Sequence, residues 1–545
     1  MTFFPLRRPT LGRTLYLVLF AAYISVCLNF AYYQRAWKLI GPDSIAHCLF
    51  FLSMPLLAFS VICLVLTLAS LVKLSRVVIT LFVILSATAQ YFIMNYNIVL
   101  DRSMMVNMLD TTPAESLALL DPPMVVTLLL TIVPAVFLAW WLKIKPETSL
   151  FRSLGKRLLT LLTNVLCILL VALVFYKDYA SLFRNHHELI KSVNPSNSIM
   201  ASLSWYKHHR LAEMPLIRIG EDAHQEPAMT HGKPELTIMV LGETSRAQDF
   251  SLSGYARDTN PLLSKDNVIY YPHTSSCGTS TAVSVPCMFS NMPRKDYNDV
   301  LAAHQEGALD VLHHAGVSVL WNDNDGGCKG ACDRLPHQDM TALDLPGQCI
   351  DGECYDEVLF HQIEDAINHL KGNGIIILHT IGSHGPTYYH RYPPAFRKFT
   401  PTCDTNEIQS CSREQLVNTY DNTILYVDYI VNKSIDILKE HQNKFTTSLV
   451  YLSDHGESLG EDGAWLHGMP YAIAPSQQTH IPMLLWLSPD YQQRFHVSQR
   501  CLQNNADHNP YSQDNVFSTL LGLFGVQTRE YHPADDLLTG CRSTG

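Results

Sequence analysis

The sequence predicts a protein of two parts: an α-helical membrane domain with five spans, followed by a water-soluble α/β domain with a mostly parallel sheet. Three observations predict this fold class. Long apolar runs occur only in the first half, short β-branched runs alternate with helical patterns in the second, and the sign of the charge changes between them. Residues 1–235 hold 20 Lys and Arg against 13 Asp and Glu, whereas residues 236–545 hold 19 against 36.

The composition excludes several other classes of protein. With 545 residues the chain is too long for one hydrophobic core. Charged residues make up only 16% of it, against about 25% in a typical soluble protein. This deficit argues against intrinsic disorder, and the net charge of −10 argues against a protein that coats nucleic acid. We therefore expect no nucleic-acid partner.

Five segments of the first half are apolar enough to span a membrane, which takes about 20 residues. They cover roughly residues 15–33, 46–72, 77–93, 124–142 and 158–176. Buried helices of soluble proteins seldom stay apolar on all sides for this length. The first segment has no small-x-small cleavage site and four more spans follow, so it is interpreted as an uncleaved anchor rather than a signal peptide.

The Lys and Arg residues of the short loops predict the orientation. Ten of them lie in the N-terminal tail and in the loops after the second and fourth spans, and only three lie in the opposite loops. The ten are expected in the cytoplasm, which puts the acidic half in the periplasm of a bacterium. The predicted domains are a membrane domain (1–176), a connector (177–235) and a periplasmic catalytic domain (236–545). The connector is either a set of helices at the membrane surface or an ordinary surface linker.

The 14 cysteines divide between the two halves. Four lie in the spans and are interpreted as free packing residues: Cys27, Cys48, Cys63 and Cys167. The other ten are Cys277, Cys287, Cys328, Cys332, Cys349, Cys354, Cys403, Cys411, Cys501 and Cys541. An even number in an exported domain predicts five disulfides, for which roughly 945 pairings exist; pairing each cysteine with its nearest neighbour along the chain is the simplest. A zinc ribbon is the rival interpretation, but its CxxC spacings are missing.

Strand candidates in the second half lead to the candidate site. They cover residues 236–241, 317–321, 374–379, 448–452 and 481–487, with helical patterns at 356–371 and 413–440. Ligands of such sheets gather at the carboxyl ends of the strands. Glu243 follows the first of these strands, and Asp454 and His455 follow the fourth. Carboxylate oxygens with an imidazole nitrogen suit Zn²⁺, although each residue alone is equally typical of a turn or a helix cap.

A fourth element is the segment Cys-Gly-Thr-Ser-Thr-Ala-Val-Ser-Val-Pro-Cys at 277–287. Small hydroxyl residues lead into an apolar run there, as at the start of a helix. The partial positive charge of a helix N-terminus stabilises an alkoxide or a phosphoester. An ordinary Ser or Thr N-cap remains the simpler alternative.

Five stretches, at 241–246, 276–290, 321–334, 379–388 and 451–467, resemble the phosphoethanolamine transferases of the alkaline phosphatase superfamily. The resemblance extends over the whole chain, including the five spans. It is closest to the lipid A phosphoethanolamine transferases, relatives of the mobile colistin-resistance enzymes. It implies an alkaline-phosphatase/sulfatase-like fold for the second half.

The resemblance also implies roles for individual residues. Glu243, Asp454 and His455 would bind one catalytic zinc ion, with Thr281 as fourth ligand and nucleophile. His384 and His467 match histidines that bind the phosphate or a second zinc ion. Lys329 matches a lysine that grips the ethanolamine phosphate, and Gly326 stands where the family often has a serine.

A further set lies between the third and fourth spans. Asn107, Thr111 and Glu115 match an asparagine, a threonine and a glutamate that hold the donor headgroup in the family. The same stretch also fits a capping box, with Thr112 as the cap, Pro113 at the first helical position and Glu115 three residues after the cap. Both interpretations stay open.

The function that the resemblance implies is transfer of phosphoethanolamine from phosphatidylethanolamine to a phosphate of lipid A, through a covalent intermediate on Thr281. The enzyme would be a multi-pass monomer in the bacterial inner membrane, with membrane lipids as its partners, and would confer polymyxin resistance. Three alternatives remain open: transfer to a core sugar, a membrane-anchored zinc phosphodiesterase or sulfatase-like hydrolase, and a zinc-dependent sensor or scaffold.

Overall fold

The computed structural model describes residues 8–41, 43–96, 122–146, 149–212, 214–350, 353–405 and 408–542. The chain divides into two compact units, residues 1–213 and 214–545. The predicted connector therefore belongs in part to each: residues 177–213 lie in the first unit and residues 214–235 in the second.

The first unit is helical. Among the described residues its helices are α1 (Arg13–Val26), α2 (Phe30–Ile40), α3 (Ile45–Leu71), α4 (Ser75–Tyr96), α5 (Pro122–Trp141), α6 (Leu150–Asn185), α7 (His187–Ile190) and α8 (Ser196–Ala212). Five stretches of the described residues are long and apolar enough to cross a membrane: Arg13–Ile40, Ile45–Leu71, Ser75–Asn95, Met124–Trp141 and Phe151–Asn185. The prediction of five apolar helices is confirmed. The first stretch consists of α1, a 3-10 turn and α2.

Packing in this unit leaves an apolar outer surface. Helix α1 packs on α3, α3 on α6, and α4 on α5. The Tyr16 hydroxyl donates to the Ala139 carbonyl at 2.8 Å, which ties α1 to α5. Leu130 of α5 is 72% exposed and Leu173 of α6 is 81% exposed. Such exposure of leucine along two long helices is typical of surfaces solvated by lipid.

Helix α6 is longer than the apolar run that predicts it. It continues nine residues beyond residue 176 and ends where His186 donates its backbone N–H to the Leu182 carbonyl. Backbone hydrogen bonding continues through the polar residues because no proline or glycine stops it there. The hydropathy of the sequence marks the apolar part of such a helix rather than its end.

The second unit is built on a seven-stranded sheet. Its strands are β1 (Glu235–Gly242), β2 (Ile269–Tyr270), β3 (Ser318–Asp323), β4 (His337–Asp339), β5 (Gly374–His379), β6 (Thr446–Ser453) and β7 (Met483–Leu487). The spatial order is β2-β7-β6-β1-β5-β3-β4, and only β7 runs antiparallel to its neighbours. The mostly parallel sheet is therefore confirmed, and β1 lies at its centre.

Helices flank this sheet. They are α9 (Pro227–Thr230), α10 (Thr281–Met288), α11 (Asp299–Ala302), α12 (Ala308–His314), α13 (Ile363–His369), α14 (Arg413–Glu440), α15 (Ser476–Thr479), α16 (Pro489–Arg494), α17 (Gln499–His508) and α18 (Asp514–Leu523). Helix α14 has the bounds predicted for it and packs on β1 and β6. The helix predicted at 356–371 is broken into a 3-10 turn and α13, because Gln362 adopts a left-handed conformation with φ of 58°.

Five disulfides lie in the second unit. They join Cys277 to Cys287, Cys328 to Cys332, Cys349 to Cys354, Cys403 to Cys411, and Cys501 to Cys541. These are the nearest-neighbour pairs along the chain. Cys27, Cys48, Cys63 and Cys167 carry free thiols.

Candidate active site

The register of the three central strands brings the predicted ligands together. Leu241 of β1 pairs with His379 of β5 on one side and with Leu452 of β6 on the other. The residues that follow β1 and β6 therefore leave the sheet at the same level. Glu243 lies one residue beyond β1, and Asp454 and His455 follow β6 directly; all three side chains are fully buried.

The four polar side chains of this cluster face one another. The Thr281 hydroxyl donates to Oε2 of Glu243 at 3.0 Å and lies 3.5 Å from Nε2 of His455. That nitrogen is 3.4 Å from Oε1 of Glu243 and 3.2 Å from Oδ2 of Asp454. Thr281, Glu243, Asp454 and His455, the four ligands that the resemblance implies, thus lie close together.

Hydrogen bonds outside the cluster orient the atoms that face it. His455 contacts the Gly456 carbonyl through Nδ1 at 3.0 Å, which places a proton on Nδ1 and turns Nε2 toward the two carboxylates. Asp454 accepts the backbone N–H groups of Thr244 and His455 at Oδ1, whereas its Oδ2 has no hydrogen-bond partner among the described residues. Nε2 of His455 thus faces carboxylate oxygens of Glu243 and Asp454, and the Thr281 hydroxyl lies beside them. A divalent cation fits this donor set.

The pKa shifts of the cluster also indicate a site that favours a positive charge. Burial and then the charge of Glu243 raise the pKa of Asp454 well above its usual range. Burial lowers the pKa of His455, but Glu243, the Gly456 carbonyl and Glu457 together outweigh burial and raise that pKa. Buried carboxylates at such short separations are costly unless a positive charge lies among them.

Thr281 is placed by the start of α10 rather than used to cap it. It is the first residue of that helix, and Ser280 occupies the N-cap position without a side-chain cap bond. The Thr279 hydroxyl donates to the Met469 carbonyl at 2.6 Å, and the Ser284 hydroxyl accepts from the Gly278 backbone N–H at 3.0 Å. Of these hydroxyls, Thr281 is the one directed at Glu243.

The two predicted histidines lie beside the cluster. The His467 ring centre is 4.2 Å from that of His455 and 5.5 Å from that of His384. Glu457 contacts Nδ1 of His467 at 3.0 Å. Glu243, His455 and His467 each present a ligand atom, and these atoms lie within 4.8 Å of one another.

The remaining predicted residues are placed differently. Lys329 lies in the loop after β3, where its ammonium donates to the carbonyls of Asp325 at 3.2 Å and Gly326 at 3.0 Å. Gly326 has φ of 70°, a conformation that favours glycine over the family's serine. Asn107, Thr111 and Glu115 lie outside the described residues.

The structure adds residues that the sequence reasoning missed. His379 at the end of β5 and Asp325 in the loop after β3 form a second group with Glu243, whose ligand atoms also lie within 4.8 Å of one another. Asp323, the last residue of β3, contacts Nδ1 of His379 at 2.8 Å. The rule that ligands gather at the carboxyl ends of parallel strands applies to these residues too, because β3 and β5 are parallel neighbours.

Comparisons with known proteins match both units. The Sulfatase family model matches residues 235–526, and the model of the phosphoethanolamine transferases EptA/EptB matches residues 58–210. The chain is 64% identical to phosphoethanolamine transferase EptA of Salmonella typhimurium over 538 residues, 98% of each protein. It is 36% identical to phosphatidylethanolamine transferase Mcr-1 of Escherichia coli over 492 residues, 88% of each. The structure of the integral membrane lipooligosaccharide phosphoethanolamine transferase A of Neisseria meningitidis aligns with 98% of this chain and 100% of its own, with a TM-score of 0.65 and 41% identity.

Proposed function

The chain belongs to the EptA family of phosphoethanolamine transferases, and we propose that it moves phosphoethanolamine from phosphatidylethanolamine to a phosphate group of lipid A. The observation that carries the proposal is the Thr281 hydroxyl, which lies 3.0 Å from the Glu243 carboxylate within a buried set of metal-binding side chains. A sensor or scaffold has no need of a hydroxyl nucleophile inside such a set.

In the proposed site Glu243, Asp454, His455 and Thr281 would hold one zinc ion. When bound, zinc lowers the pKa of a coordinated hydroxyl and offsets the charge that develops on a phosphoryl group. The donor set supports this ion, since the lone pairs of Nε2 of His455 and Oδ2 of Asp454 face the same gap. A threonine hydroxyl is a weak nucleophile until it is activated in this way.

The reaction would proceed in two displacements. The Thr281 hydroxyl gives its proton to the Glu243 carboxylate, to which it donates, and its oxygen forms a bond to the phosphorus of the donor. The bond from phosphorus to the glycerol oxygen breaks, and diacylglycerol leaves with a proton. An oxygen of the acceptor phosphate then attacks the phosphoethanolamine–threonine ester and releases Thr281. His467 or His384 supplies the proton to the leaving oxygen. The His467 ring lies beside that of His455 and the His384 ring beside that of His467, which supports this role.

Other predicted residues would hold the substrate. We assign the ethanolamine phosphate to Lys329, and the donor headgroup to Asn107, Thr111 and Glu115. The ammonium of Lys329 bonds to its own loop, so engaging a phosphate would take a change of its side-chain rotamer. The five apolar helices suit an enzyme whose donor is a membrane lipid.

We further propose that the protein is a monomer of the bacterial inner membrane with its second unit in the periplasm. The ten basic residues of the predicted cytoplasmic loops and the five disulfides of the second unit support this topology. Adding an ammonium group to a lipid A phosphate reduces the negative charge that attracts cationic polymyxins, so we expect polymyxin resistance.

Mass spectrometry of the lipids from cells that express the protein tests the proposal. Lipid A that gains phosphoethanolamine, with an equal release of diacylglycerol, is the expected result. Loss of phosphatidylethanolamine without a modified lipid would instead identify a hydrolase, and a core sugar that carries the group would change the acceptor. Unchanged lipids would contradict an enzyme and favour a sensor or scaffold. Cells that express the Thr281→Ala variant serve as the control.

A further inference from the structure

The second group of metal-binding side chains lies at the ends of three adjacent strands. Glu243 follows β1, His379 ends β5, and Asp325 follows β3 by two residues. Asp325 and His379 are not among the ligands assigned to the proposed zinc ion. Glu243 is the one member that the two groups share.

His379 is oriented as a ligand histidine would be. Its ring is fully buried and contacts Oδ2 of Asp323 through Nδ1 at 2.8 Å. Asp323 is itself held by the Trp321 indole N–H and by the backbone N–H of Gly327. The proton therefore lies on Nδ1, and Nε2 has no hydrogen-bond partner among the described residues. A carboxylate that fixes the tautomer and ring of a histidine in this way is a common feature of metal sites.

The atoms that face Nε2 of His379 are acceptors. Oδ2 of Asp325 lies 3.8 Å away, and the Asp325 side chain is only 9% exposed. The neighbouring Lys329 ammonium donates to backbone carbonyls, and no ion pair joins it to the Asp325 carboxylate among the described residues. Two carboxylates thus converge on the buried imidazole, and carboxylates buried in this way require a positive charge among them.

We propose that Glu243, Asp325 and His379 bind a second divalent cation, with Glu243 bridging it to the proposed zinc ion. Two carboxylate oxygens and one imidazole nitrogen suit Zn²⁺ or Mn²⁺. The set differs from His384 and His467, to which the sequence resemblance points for a second zinc. The inference rests on the proposed function only through Glu243, the ligand common to both ions.

Metal counting on the full-length protein in detergent tests this site. The protein is stripped with a chelator, loaded with Zn²⁺ or in a separate sample with Mn²⁺, freed of unbound metal and analysed by mass spectrometry for metal per chain. We expect two ions in the wild type and one in His379→Gln and Asp325→Asn. His384→Gln is the matched control, a histidine of the same region outside the set, and should keep two.

His379 lies at the end of a buried strand, so His379→Gln can perturb the fold. Asp325→Asn is the second variant, because it changes a loop residue and preserves the shape of its side chain. Thermal unfolding of each variant, with and without metal, checks that it folds. A wild type that binds one ion, or a count of two in folded Asp325→Asn, would overturn the second site.

Asp454→Asn separates the two proposals. If Asp454→Asn and Asp325→Asn each lose one ion per chain, both sites stand. If Asp454→Asn leaves the count unchanged while Asp325→Asn lowers it, the proposed catalytic zinc fails and the second site stands. If Asp454→Asn removes the only ion, the catalytic zinc stands and the second site fails.

Discussion

At the scale of single residues, Thr281 differs from its neighbours in direction rather than in chemistry. Thr279, Ser280 and Thr281 all carry hydroxyls, yet Thr279 bonds to the Met469 carbonyl and Thr281 to the Glu243 carboxylate. The start of α10 sets this difference, because the first helical residue points its side chain back toward the loop that precedes the helix.

Thr281→Ala should abolish both the covalent phosphoethanolamine adduct and transfer, because no other hydroxyl of this segment is directed at Glu243. The fold and most of the metal should remain, since three ligands are unchanged. Peptide mapping after incubation with donor alone measures the adduct on residues 276–290. Thr279→Ala is the control and should keep the adduct. Normal transfer by Thr281→Ala would contradict the covalent mechanism.

Asp454→Asn should lower activity by more than 100-fold. Changes that act through a ligand's neighbours typically cost about 10–100-fold in metal affinity or activity, and a direct ligand should cost more. Its Oδ1 accepts two backbone N–H groups, which an amide oxygen can still do, so the loop should keep its shape. Zinc content and transfer rate are measured together, and retention of both would remove Asp454 from the ligand set.

At the scale of elements, the loops after β1, β5 and β6 depend on close backbone contacts. A Cβ atom on Gly382 would lie 2.5 Å from the Glu243 carbonyl oxygen, and the residue has φ of 50°. A Cβ atom on Gly456, beside His455, would lie 2.1 Å from the Gln477 carbonyl oxygen. Because both residues lack a Cβ atom, two backbone segments of the chain can pack closely beside the residues of the cluster.

Gly382→Ala should reduce transfer strongly, because the added methyl group pushes against the backbone of Glu243. A non-glycine residue in this left-handed conformation also costs about 1–2 kcal/mol in the free energy of unfolding. Gly372→Ala is the matched control, since no atom lies within 4 Å of its Cβ position. Activity and chemical unfolding of the two variants are compared. Equal behaviour would show that the contact with Glu243 is unimportant.

The disulfides offer a second test at this scale. Cys501 and Cys541 are 40 residues apart and Cys277 and Cys287 only 10, so loop entropy favours the longer link by roughly 1 kcal/mol. Replacing Cys501 and Cys541 by serine should therefore lower the free energy of unfolding more than replacing Cys277 and Cys287. The transfer activity should instead fall more when Cys277 and Cys287 are replaced, because they frame Thr281. The opposite ranking in unfolding and transfer assays would contradict this division of roles.

At the scale of the whole molecule, the two units have surfaces for different solvents. The outer faces of α5 and α6 expose leucine, whereas the second unit encloses an extensive hydrophobic core around its sheet. Cysteine chemistry follows the same division: free thiols occur in the first unit and disulfides in the second. The periplasmic location that we propose for the second unit would account for this difference, because disulfides persist in oxidising compartments.

Thiol labelling of the denatured, unreduced full-length protein should modify four cysteines, Cys27, Cys48, Cys63 and Cys167. The other ten should react only after reduction, because each is in a disulfide. Peptide mapping by mass spectrometry identifies the labelled sites, and fully reduced protein, in which all 14 react, is the control. Labelling of Cys328 and Cys332 without reduction would contradict the disulfide framework.

Features that depend on local sequence could be predicted. The five apolar helices follow from runs of apolar residues, and the bounds of α14 follow from helical periodicity between a Ser412 cap and His441. The positions of Glu243, Asp454 and His455 follow from the end of a buried strand. The edge strands β2 and β4, of two and three residues, carry too few residues for a pattern. The extent of α6 was missed because hydropathy changes before the helix ends.

Neighbours along the chain are enough to predict which half of this protein faces lipid, which residues form the central strands, and which side chains stand at their ends. Which of those side chains meet depends on the tertiary structure. The register of β1 between β5 and β6 puts Glu243 beside Asp454 and His455, and the neighbouring β3 adds Asp325. Such contacts join residues from distant parts of the chain, and strand pairing rather than local sequence sets them.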